Sequence, residues 1–160
     1  MNSKGDYMKK FFLCSFLCLM VCLTTAMAFG QQSTQKGQPR DKVKATKIIK
    51  GYVKGFEVGD YTHAVIKKET GGETSFFLNE SDALRYFLVS HKGQLLQLTY
   101  QVVDSFIPEA GGVQTIERLV AAKAGDLTHQ AWWKRESARS SPQRLRRKYD
   151  ALIEKSIVNQ

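Results

Sequence analysis

The sequence predicts a mainly β domain: five strands, one helix between the third and the fourth, and a helical tail. Three observations predict it. Apolar residues alternate, strictly or loosely, along most of Lys47 to Ala124. Turn dipeptides such as Gly59-Asp60 and Gly71-Gly72 interrupt that alternation at strand-length intervals. One stretch, Asn79 to Lys92, changes period and places Leu84, Phe87, Leu88 and His91 at helical spacing.

The N-terminus reads as an address. Met8-Lys9-Lys10 precedes the apolar run Phe11 to Leu23, and Ala26-Met27-Ala28 follows. A positive start, an apolar middle and an Ala-x-Ala end make a secretory signal peptide over residues 8–28, with residues 1–7 as an upstream extension if Met8 is the start. The run is shorter than the roughly 20 apolar residues of a membrane span, so cleavage is expected, and no transmembrane helix in the mature chain. Cys14, Cys18 and Cys22, the only cysteines, lie inside it. The exported chain, periplasmic or secreted, is thus expected to fold without disulfides.

Charge is unevenly spread. The net charge of +9 falls to +7 once residues 1–28 leave. Residues 29–46 carry +3, residues 47–125 are neutral and residues 126–160 carry +4. A neutral body argues against a single-strand nucleic-acid binder, which needs a positive groove.

Residues 29–45 are rich in Gln, Ser, Thr, Lys and Gly and read as a flexible leader. The body spans residues 46–125. Lys47 to Val58 forms a long first strand whose Gly51 and Gly55 permit a bend or bulge. Tyr61 to Lys68 and Ser75 to Leu78 form a hairpin across Gly71-Gly72, where both residues accept positive φ. Asn79 caps the helix with Asp82 three residues on, and Gly93 ends it. Gln94 to Phe106 and Val113 to Ala124 are the last strands, turning at Pro108 to Gly112. Phe56, Leu84, Leu88, Leu96, Leu98 and Val102 are the expected core. In the tail, residues 126–160, Asp126 to Arg135 suggests a short helix. Ser141-Pro142 opens a second, over Ser141 to Lys155, with Leu145, Tyr149, Leu152 and Ile153 on one face.

Three strands, a helix and two further strands resemble the order of an OB-fold, a small five-stranded Greek-key barrel. The resemblance covers about 80 residues, Thr46 to Gly125, in keeping with that small barrel. In size and address the chain resembles small exported bacterial OB-fold proteins. Gly59-Asp60 is similar to a pair found in staphylococcal-type nucleases, but Tyr61 to Leu78 lacks the arginine which that calcium and phosphate site requires.

The OB-fold resemblance implies a ligand face on the second and third strands and the flanking loops. Tyr52, Tyr61 and Tyr100 are the aromatic candidates for it. Asp60, Asp104 and Glu109 are loop carboxylates that could converge to bind a cation or act as acid and base. His63, His91 and His129 share no metal-ligand spacing, and no nucleophile motif surrounds any serine, so no metal, cofactor or catalytic set is expected. In the tail Trp132, Trp133, Arg144, Arg146, Arg147 and Lys148 are candidates for binding a partner, an anionic surface or an envelope component. The expected function is a non-enzymatic exported binding protein. A small secreted enzyme with a site in the barrel loops and a single-strand nucleic-acid binder are the alternatives.

Overall fold

The computed structural model describes residues 41–78 and 81–158. The signal segment, the leader up to Arg40 and the Asn79 cap lie outside the described residues. The fold is mainly β, with one six-stranded sheet closing in a ring.

The first strand, β1 (Lys42–Val58), does two jobs. Its first half, Lys42 to Gly51, pairs antiparallel with β4 (Leu96–Ile107). Its second half, Gly51 to Val58, pairs with β2 (Thr62–Lys68) on the other edge. Gly51 is the changeover residue. A Cβ there would stand 2.6 Å from the Lys67 carbonyl oxygen and 2.7 Å from Ile66 Cγ2, so only glycine allows the crossing. The strand starts at Lys42 rather than Lys47, because main-chain pairing with Val103 and Asp104 extends it. Val43 and Lys44 are both exposed, so the segment lacks the apolar alternation by which a strand is read.

β2 returns to β3 (Glu73–Leu78) through Gly71 and Gly72, whose φ values of +94° and +77° fulfil the positive-φ expectation. α1 (Asp82–Ser90) follows. Ser81 stands at its N-cap, with no side-chain cap bond. β4 and β5 (Gly112–Ala124) form the longest ladder, and β6 (Leu127–Thr128) adds a short edge. Parallel pairing of Phe77 with Arg118 and Leu78 with Leu119 closes the ring in the order β1-β2-β3-β5-β4-β1.

Phe56, Leu84, Leu88, Leu96 and Leu98 are buried as expected. Val102 is half-buried, because the inward face of β4 passes from Tyr100 to Val103 where the pairing with β1 shifts register between Val43 and Ala45. Two more helices complete the core: α2 (His129–Arg139) and α3 (Pro142–Glu154). Thr128 Oγ1 accepts from the Ala131 amide at 3.2 Å, and Ser141 Oγ from the Arg144 amide at 3.4 Å. α2 starts at His129 rather than Asp126 and continues to Arg139, beyond the Arg135 end expected from the sequence. Leu145, Tyr149 and Ile153, four apart, are buried against the body, each contributing about 1.5–3 kcal/mol. Leu152 departs from the expected stripe and remains over a third exposed. After α3 the chain returns to β1, where Ile157 bridges Phe56 in parallel. The Phe56 amide donates to the Ser156 carbonyl at 3.0 Å, and the Val158 amide to the Phe56 carbonyl at 2.9 Å.

Candidate functional site

Two regions gather the sequence candidates. The first is a groove along the rim of the ring, where β1 and β4 end and β2 and β5 begin. Alternation along β3 sends Phe76 into the core and leaves Phe77 half-buried beside Tyr61. Their rings sit 5.8 Å apart with a 56° tilt, and His63 packs on Phe77 at 4.2 Å. Three adjoining depressions of about 790, 520 and 300 Å³ share Tyr61 and Phe77 in their walls.

Carboxylates surround these rings. Tyr61 donates to Glu109 at 2.6 Å, and Ser75 donates to Glu57 at 3.1 Å. Asp60 lines two of the three depressions. The Tyr61 hydrogen bond lowers the Glu109 pKa below the usual carboxylate value, and the same bond raises that of the tyrosine. Arg118 is the one cation in these walls among the described residues, and Asp41 engages it at 2.6 Å. Asp41 is held below its ordinary pKa, first by the Ser105 hydroxyl and then by Arg118.

The other candidates of the body divide. Tyr52 is exposed on β1 opposite Lys67, away from the groove lining. Tyr100 is a core residue, packed 4.7 Å from Phe76, because its position on β4 faces inward with Leu96 and Leu98. Asp60 and Glu109 approach the same depression; Asp104 does not. Instead Lys44 pairs with Asp104 at 2.7 Å and Thr115 donates to it at 2.6 Å, which lowers its pKa. Among the described residues no three histidine, cysteine or acidic side chains group as metal ligands.

The second region is the helical layer. Trp132 and Trp133 are both half-buried against the core. Trp132 meets Phe87 edge-on at 5.7 Å and Tyr149 at 5.4 Å, while Trp133 lies 5.9 Å from Tyr86. Tyr86 stacks on Tyr149 at 5.1 Å and donates to Asp150 at 3.0 Å. Burial, then that bond, raises the Tyr86 pKa. Tyr149 donates to Glu136 at 2.6 Å and accepts from Lys148 at 3.0 Å. Arg144, Arg146, Arg147 and Lys148 are exposed, since the stripe of α3 faces the other way. Lys148 approaches Glu136 at 3.6 Å and Arg146 approaches Asp82 at 3.7 Å.

Phe77, His63 and Glu57 of the groove, and Tyr86, Asp82 and Asp150 of the helical layer, were not singled out as site residues from the sequence. The alternation that buries Phe76 is the signal that would have turned Phe77 outward. No sequence signal brings Asp82 to α3, since sixty-odd residues of chain intervene. No helix among the described residues is long and apolar enough to cross a membrane. The chain matches no family model, no curated protein and no solved structure.

Proposed function

We propose that this is an exported, non-enzymatic binding protein. Its body is an OB-like barrel, and its ligand site is the rim groove around Tyr61 and Phe77. The ring order β1-β2-β3-β5-β4-β1, with the helix between β3 and β4, supports the barrel. The Met8–Ala28 pattern supports export. One observation carries the site: three adjoining depressions meet at the same pair of aromatic rings.

The lining selects the ligand class. Two aromatic faces offer an apolar platform, and Glu57, Asp60 and Glu109 offer hydrogen-bond acceptors. Arg118, the one cation in these walls among the described residues, is already paired with Asp41. Phosphate-bearing ligands are therefore disfavoured, and a neutral saccharide, which presents apolar ring faces and hydroxyl donors, suits the groove. Acid–base catalysis has less support: a general acid needs a raised carboxyl pKa, and Glu109 is shifted the other way. A nucleic-acid ligand would meet the same acidic rim.

The basic helical layer supports a second contact, with an anionic partner, through Arg144 and Arg147. Neither has an ion-pair partner among the described residues.

Titration of the mature protein with a panel of neutral oligosaccharides, followed by amide chemical shifts, tests the groove. Shifts at Tyr61, His63 and Phe77, abolished by Phe77→Ala, are expected. A panel that moves no groove amide refutes the saccharide assignment. Cosedimentation with anionic vesicles at low and high salt tests the tail, and equal binding by Arg144→Gln/Arg147→Gln refutes it.

A further inference from the structure

A separate cleft lies between α1 and α3, about 620 Å³ in volume. Trp133 and Tyr86 form its aromatic wall, Pro142 and Gln143 one lip, and Arg146 and Arg147 stand beside Asp82 and Asp150. It shares no residue with the rim groove.

Its charges do not cancel. Arg85 engages Asp82 at 2.8 Å and approaches Asp150 at 3.5 Å. The Asp150 oxygen also accepts from Tyr86. Both carboxylates are thus committed to Arg85 and Tyr86 before the α3 arginines reach them. Arg146 has only the 3.7 Å approach to Asp82, with a side chain 70% exposed. Arg147 has no ion pair among the described residues. Three guanidinium groups against two carboxylates leave one positive charge beside an indole and a phenol ring.

We propose that this cleft binds a small aromatic carboxylate. The ring of the ligand lies against Trp133 and Tyr86, and its carboxylate meets Arg146 and Arg147. Planar guanidinium groups suit that pairing because their N–H donors match the two oxygens of a carboxylate. One uncancelled positive charge selects a monoanion, since Asp82 and Asp150 repel a second negative charge. Apolar walls with a few polar groups at the mouth are the usual build of a small-molecule site.

Trp132 and Trp133 are the only tryptophans in the chain, so tryptophan emission reports this region alone. The mature protein is titrated with phenylacetate, with the neutral 2-phenylethanol and with acetate. Saturable quenching by phenylacetate is expected, with the alcohol and acetate each weaker by about tenfold or more. Arg146→Gln/Arg147→Gln should lose about tenfold in phenylacetate affinity, and Arg146→Lys/Arg147→Lys should recover part of it. Amide shifts on the unaltered protein guard against a misfolded variant: phenylacetate should move Gln143, Arg146 and the Trp133 indole. No saturable response, equal response to the alcohol, or shifts confined to Tyr61 and Phe77 would overturn the proposal.

Discussion

Replacing Gly55 by alanine should unfasten the end of the chain from the ring. Gly55 lies on β1 beside the returning segment, and a Cβ there would collide with the Ser156 carbonyl oxygen and lie 2.8 Å from Val158 Cγ1. Its φ is not in the left-handed region, so the backbone itself accepts alanine. The cost is therefore the displaced segment. Two main-chain hydrogen bonds, Phe56 to Ser156 and Val158 to Phe56, are lost or distorted, at about 0.5–1.5 kcal/mol each. Alanine in place of glycine in a strand returns roughly 0.5–1 kcal/mol. The net loss in the full chain then lies between about 0 and 2.5 kcal/mol and centres on about 1 kcal/mol, a fall in Tm of several degrees for a domain of this size. A double-mutant cycle by chemical denaturation separates the two terms, using a chain that ends at Lys155. On that shortened chain Gly55→Ala should be neutral or stabilising. The reasoning fails if the substitution costs the same with and without the segment, or stabilises the full chain as much as the shortened one.

Three further outcomes follow from particular contacts. Ser141→Ala removes the acceptor for the Arg144 amide and should cost about 1 kcal/mol by thermal or chemical denaturation. His129 is buried and its pKa is lowered from 6.5 by that burial, so the unfolded chain binds its proton more readily than the folded one. Its stabilising contribution is present above 6.5 and is lost as pH falls from 6.5 towards the folded value; His129→Gln should flatten this part of the stability–pH profile. Tyr61→Phe deletes the hydroxyl that stabilises ionised Glu109, so the Glu109 side-chain carbon should titrate at a higher pH by NMR than in the parent protein.

The elements were legible in the sequence because their signals are local. Alternation, Gly71-Gly72 and Ser141-Pro142 each depend on a few consecutive residues, and each corresponds to a feature of the structure. The start of β1 was not legible. Val43 and Ile48 are exposed, and main-chain pairing with β4 holds that part of the strand. The site was legible in fragments. Tyr61, Asp60 and Glu109 could be proposed because they flank turns. Tyr100 could not be distinguished from them, since a tyrosine on a strand reads alike whether it faces the core or the solvent. Trp133 and Arg147 were visible as unusual residues, but their joint cleft depends on Asp82 and Tyr86, which the ring topology brings to them.

The same topology sets the two regions at opposite ends of β4 and links them through the segment that follows α3. The rim groove gathers the ends of β1 and β4 and the starts of β2 and β5. The helices cover the other ends, where Leu96 and Leu98 begin β4 and the Ala122 amide donates to His129. β4 is 12 residues long and runs from the helical end to the rim, and the segment after α3 makes the same passage, placing Ile157 and Val158 in the groove wall. Phe77 packs with a small satellite cluster of Val103, Ile107 and Ile116, whereas the helices bury their stripes in the main core. Substitutions at Tyr61 or Phe77 leave the buried stripe of α3 in place and reach that helix through Ile157 and Val158, which share a groove wall with both rings. Loss of Leu145 or Tyr149 removes side chains from the main core, and with them the platform that turns Arg144 and Arg147 to solvent. The basic charge is thus placed by an apolar stripe, and stability and surface charge in the tail are two faces of one helix.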